Sequence, residues 1–135
     1  MSLTRSTWKR IESPLPDYPD FVSFYPEVNI AVSYTWLRRD DGKYHIWGCW
    51  YKEPADQVVR TALKGRTTWR RESYEIDHDT LIWNTESGCA KWERIDDSCI
   101  PEELIKTGTE YMSRLQELTP PAKDYDGEQG VVPNP

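Results

Sequence analysis

The chain has 135 residues, 37% hydrophobic and 30% charged, the size and composition of one globular domain with a sizeable core. Its 17 Lys and Arg against 23 Asp and Glu give a net charge of −6. That argues against a generic polyanion binder, since basic residues supply most non-specific nucleic-acid affinity. No run approaches the ~18 apolar residues of a membrane-spanning helix.

Residues 1–16 contain no apolar core of the length a secretory signal needs. Three cysteines, Cys49, Cys89 and Cys99, form neither an even disulfide set nor a close C-x-x-C pair. Both features predict a reducing, cytoplasmic setting. Cys49 sits in an apolar run and reads as a small buried hydrophobe.

Four prolines in residues 1–28 predict an extended N-terminal segment, packed on the domain through Phe21, Val22, Phe24 and Tyr25. Within it, residues 7–16 (TWKRIESPLP) echo residues 91–101 (KWERIDDSCIP), which suggests two strands of similar role. Next comes a strong hairpin signal. Ile30, Val32, Tyr34 and Trp36 alternate, and Asp41-Gly42 reads as a two-residue turn. That register pairs Trp36 with Trp47, Tyr34 with Cys49 and Val32 with Tyr51. Residues 54–65 read as a short helix, opened by Pro54, closed by Gly65, with Val58, Val59, Ala62 and Leu63 as its stripe.

Two further strands follow, separated by Asp77-His78-Asp79, which reads as a polar turn rather than a metal site. A Ser87-Gly88 turn would then pair Trp83 with Trp92. The clearest helix covers residues 100–118. Pro101 opens it, and Leu104, Ile105, Gly108, Tyr111, Met112, Leu115 and Leu118 form its apolar stripe. Gly108 on that stripe predicts close approach to a strand. Residues 120–135 are acidic and rich in Pro and Gly, and read as a disordered tail.

The expected architecture is therefore α+β in a single domain, residues 1–119. An antiparallel meander of about five or six strands, with the makings of a half-open barrel, is packed by the C-terminal helix.

Seven tryptophans are many for this length. Most read as core, because strands favour aromatic cross-strand pairs. Trp50 and Trp69, on the less apolar faces of their strands, are the expected exceptions. Residues 60–71 hold five bases, Arg60, Lys64, Arg66, Arg70 and Arg71, and none of the chain's acids. With Trp50 and Trp69 they form the candidate binding residues, since Arg offers bidentate contacts to carboxylate or phosphate. Adjacent Arg70 and Arg71 point to opposite faces of a strand, so only one of them can join Arg60.

The sequence contains no phosphate-binding loop, G-x-S-x-G, H-E-x-x-H or G-x-G-x-x-G motif. The expectation leans away from an enzyme, with no cofactor or metal. The leading expectation is a binding protein that engages another protein with an acidic patch, and no membrane. The alternatives are nucleic-acid or phosphate recognition through residues 60–71, and a tryptophan-lined small-molecule cavity with or without catalysis.

Overall fold

The computed structural model describes residues 3–13, 19–37, 43–63, 69–85 and 88–120. The strands are β1 (Ser6–Glu12), β2 (Phe21–Tyr25), β3 (Ile30–Leu37), β4 (Lys43–Ala55), β5 (Val58–Leu63), β6 (Arg70–Asp77), β7 (Thr80–Thr85) and β8 (Gly88–Ile95). Each pairs antiparallel with the next, and β8 pairs back with β1. The sheet is thus a closed eight-stranded up-and-down barrel, with more strands than the expected five or six. A 3-10 turn, Asp97–Cys99, leads into helix α1 (Glu102–Gln116), which packs outside the barrel across β3 and β4. No helix among the described residues is long and apolar enough to cross a membrane.

Closure depends on the sequence echo. Trp8 lies opposite Arg94, Lys9 opposite Glu93 and Arg10 opposite Trp92. The two Trp-x-Arg triplets therefore run antiparallel, so each tryptophan faces the other strand's arginine. The Arg94 guanidinium lies 4.5 Å from the centre of the fully buried Trp8 ring, a cation–π contact. Residues 6–12 and 21–25, expected to lie across the domain, are extended but form two staves of the barrel wall.

The helix expected over residues 54–65 is instead the end of β4, a turn and β5. Neighbouring apolar residues there serve opposite sides of the wall. Val59 belongs to the inner core and Ala62 to the outer cluster. A strand covered on both sides imitates the i, i+1, i+4, i+5 stripe of a helix. Pro54 falls at a break in register between Lys52 and Ala55, where the missing N–H costs no ladder bond.

The hairpin register also differs from expectation. Trp36 pairs with Tyr44, Tyr34 with Ile46 and Val32 with Gly48, a shift of three residues. An odd shift exchanges the faces. Cys49 and Tyr51 turn inward, while Trp50 turns outward to join Ile30, Val32 and Tyr34. Leu37 and Lys43 form the last pair, and Asp41-Gly42 lies outside the described residues. Trp83 pairs with Ala90 and Leu81 with Trp92, so the two tryptophans are diagonal neighbours rather than directly opposed.

The outer cluster seats the helix. Leu104, Ile105, Tyr111, Met112 and Leu115 pack against it, whereas Leu118 lies beyond the helix end and is exposed. Gly108 is buried, and a Cβ placed on it would stand 2.6 Å from the Tyr34 hydroxyl oxygen. Tyr34 itself is fully buried, so it has no room to withdraw. The tail expected to be disordered, residues 121–135, lies outside the described residues.

Gly108→Ala is expected to destabilise the fold by about 1–3 kcal/mol through overpacking. At an open helix position the same change would gain about 1 kcal/mol. Tyr34→Phe, which removes the clashing oxygen, should recover part of the loss in a double-mutant denaturation cycle. A Gly108→Ala variant as stable as the parent would show that the helix is not seated on Tyr34.

Candidate functional site

The interior of the barrel is built by strict alternation. On β3 it receives Ala31 and Ser33, on β4 Cys49 and Tyr51, and on β5 Val59 and Thr61. From β2, β7 and β8 come Phe24, Trp83 and Trp92. The residues from β3 to β5 are mostly small, while those opposite are large. An eight-stranded barrel has an interior just wide enough for side chains to fill, or for one small ligand. Here the small residues leave a cavity of about 140 Å³.

The aromatic wall is ordered. Phe24 and Trp83 stack with centroids 5.8 Å apart, and Trp83 and Tyr74 stack at 5.9 Å. Tyr51 meets Phe24 edge-on at 5.6 Å. Offset and edge-to-face arrangements of this kind suit the ring quadrupoles. The polar groups lining the cavity are Ser33, Cys49, Tyr51, Thr61 and Glu72. The Trp83 indole N–H donates to Glu72 Oε1 at 2.7 Å.

One end of the barrel carries short turns that use left-handed backbone at Asn29, Gln57 and His78. Leu3 is buried at this end, and its N–H points at the Glu53 carboxylate, 3.2 Å from Oε2. The Tyr74 hydroxyl donates to the same carboxylate. At the other end the inner wall reaches solvent. Trp47 lies opposite the cavity residue Ser33, and Leu63 opposite Cys49, yet these two are 47% and 42% exposed.

The sequence-based candidates are placed differently. Trp50 and Trp69, expected to be available to a ligand, are 7% and 5% exposed and belong to the outer cluster with Leu115. The three-residue change of register put Trp50 under the helix and Trp47 at the rim. Arg60 lies between Lys52 and Arg71 in one cross-strand row on the outer wall. Lys52 Nζ sits 4.2 Å from the centre of the Trp69 ring. Arg70 lies opposite Thr61, on the inner register, so it is Arg71 that joins Arg60. Lys64 and Arg66 lie outside the described residues. Asp77-His78-Asp79 forms the β6–β7 turn, with His78 exposed at φ 56°.

Burial pushes the Cys49 thiol up to about 12, and the Glu72 charge adds to the shift. The thiol is therefore a weak hydrogen-bonding wall group, not a nucleophile at neutral pH. Alternation identifies the lumen residues once residues 58–63 are taken as strand, and the helical reading of that segment concealed them. The chain matches no known protein family, and no curated protein or solved structure matches it either.

Iodoacetamide at pH 8 should alkylate the exposed Cys89 and Cys99 quickly in the native protein, and Cys49 much more slowly, because its thiol is held protonated. The raised thiol also predicts a sign for stability. Cys49 contributes stability that is full below about 9, its unperturbed value, and lost as pH rises toward 12. Peptide mapping that finds Cys49 modified as fast as Cys89 would contradict a thiol held protonated by its surroundings.

Proposed function

We propose that the protein binds a small, mostly apolar molecule inside the barrel. The observation that carries this reading is the 140 Å³ space walled by Phe24, Trp83 and Trp92 on one side and small residues on the other. A buried apolar cavity of ~150 Å³ is large enough to hold benzene. Wall atoms that face such a space lack packing partners on one side. A ligand restores the missing contacts. Trp47 and Leu63 extend the apolar wall to the rim and supply a route in. The known chemistry of the lining supports retention of a ligand, and catalysis there is left without a nucleophile of suitable pKa in Cys49.

A second reading keeps the expected acidic protein partner. It rests on the row Lys52, Arg60 and Arg71, three cations on adjacent strands. An acidic surface laid along the row would meet it with opposite charge. Trp50 and Trp69 contribute burial beneath this wall rather than an exposed platform.

Toluene titrated into the protein should raise the melting temperature and change the tryptophan fluorescence, since Trp83 and Trp92 line the cavity. Ala31→Phe fills the space from β3 and should abolish both effects while the far-ultraviolet spectrum stays that of the barrel. Arg60→Glu with Arg71→Glu should leave toluene binding intact and remove any salt-sensitive binding of a polyglutamate peptide. No response to toluene in the parent protein, with Ala31→Phe more stable than the parent, would mean a lumen that takes no ligand.

A further inference from the structure

We propose that the lumen's ligand is a small, otherwise apolar molecule carrying one ammonium group, and that the Glu72 carboxylate selects it. The inference rests on the lumen-binding reading and adds the chemical class of the ligand.

Glu72 is the one charged side chain among the described residues that line the cavity. Strand register turns it inward. It lies opposite Val59, a residue of the inner core, and two positions before Tyr74, another. Two neighbours hold the carboxylate at the wall of the space. The indole N–H of Trp83, itself a lining residue, donates to Oε1 at 2.7 Å. The Glu72 charge is also felt at the Cys49 thiol, which lines the cavity from β4 and whose pKa it helps to raise. The side chain is half-buried, neither sealed in the core nor out in bulk water.

The rest of the lining carries no competing charge. Ser33 and Thr61 offer hydroxyls, and the Cys49 thiol stays protonated at neutral pH. Arg70, the next inward position toward the rim, is exposed, so water and salt screen it. A single carboxylate among low-dielectric walls therefore sets the sign of the field in the lumen. An ammonium group entering the lumen loses hydration, which is costly. A charge-assisted hydrogen bond to Glu72 offsets that loss, and a carboxylate has about four lone-pair sites, so the indole bond leaves it able to accept more. An anionic ligand meets the same desolvation cost with repulsion added. The apolar part of the ligand fills the remaining space beside Ala31 and Leu81, and 140 Å³ holds about one ring.

Benzylamine, protonated at neutral pH, and ethylbenzene share a shape and differ by one charge. Calorimetric titration of both at low salt, with benzoate as the anionic counterpart, tests the inference. The parent protein should bind benzylamine more tightly than ethylbenzene and should not bind benzoate. Glu72→Gln keeps an oxygen for the Trp83 indole and removes the charge. It should weaken benzylamine about tenfold or more and leave ethylbenzene within twofold. Ala31→Phe, which fills the lumen, should abolish benzylamine binding, because the exterior acids remain in that variant. An unchanged benzylamine-to-ethylbenzene ratio in Glu72→Gln overturns the inference while lumen binding stands. So does a parent protein that prefers ethylbenzene or benzoate, a result that needs no folded variant. Benzylamine binding that survives Ala31→Phe overturns it as well, since the amine would then sit outside the barrel. Failure of all three probes to bind the parent protein overturns the inference together with the reading beneath it.

Discussion

The pairing of the first strand with the last is the constraint on which the rest depends. Without β1 against β8 the sheet would be open, with unpaired N–H and C=O groups along both edges. With that pair formed, every strand has two neighbours and the inner faces enclose a single space. The contacts that fix the pair are specific. Trp8 and Trp92 both point inward and are buried, and each lies opposite an arginine of the other strand. Lys9 opposite Glu93 adds a favourable cross-strand charge pair on the outer side.

Closure alone leaves part of the wall with apolar residues outside as well as inside. Ile30, Val32, Tyr34 and Trp50 face outward on β3 and β4, and α1 covers them. The backbone of the helix comes close enough only because Gly108 and, on β4, Gly48 carry no side chain. A Cβ at Gly48 would stand 3.0 Å from Leu115 Cδ1 and 3.1 Å from the Ala31 carbonyl oxygen. A polar clamp ties the entry to the helix onto the neighbouring staves β1 and β2. Asp97 receives Arg5 at 2.6 Å and also Thr7, whose oxygen lies 2.8 Å from that of Ser23 on β2. The helix thus braces β3 and β4, the two staves that contribute the small inward residues Ala31, Ser33 and Cys49. Stability of the outer cluster and the shape of the lumen are coupled through those strands.

Much of this was legible in the sequence. The antiparallel meander, the C-terminal helix, its stripe from Leu104 to Leu115, and the reason for Gly108 all follow from periodicity and propensity. The Trp-x-Arg echo pointed to two related strands, and they prove to be the closing pair. What escaped were features set by tertiary context. Within residues 58–63, Val59 is buried on the inner face and Ala62 on the outer, so Val58-Val59 and Ala62-Leu63 imitate a helical stripe. The β3–β4 register is chosen by what each face must cover, and a three-residue shift moved Trp50 inside the outer cluster and Trp47 to the rim. The strand count differs for the same reason, since residues 58–63 read as a helix and residues 21–25 as an extended segment laid across the domain. A cavity is harder still to foresee. It arises because Ala31, Ser33 and Cys49 are small at positions where their partners across the lumen are not large enough to compensate, a volume balance no linear pattern records.

The central claim is that the closed barrel contains a space its own side chains do not fill. A crystal of the protein under xenon pressure tests it most directly, since xenon enters apolar cavities of this size without needing a polar partner. The account predicts a xenon atom inside the barrel, in contact with Ala31, Cys49 and Trp83, with the surrounding side chains unmoved. A lumen that takes up no xenon, with Phe24, Trp83 and Trp92 collapsed onto the small residues of β3 and β4, would contradict it.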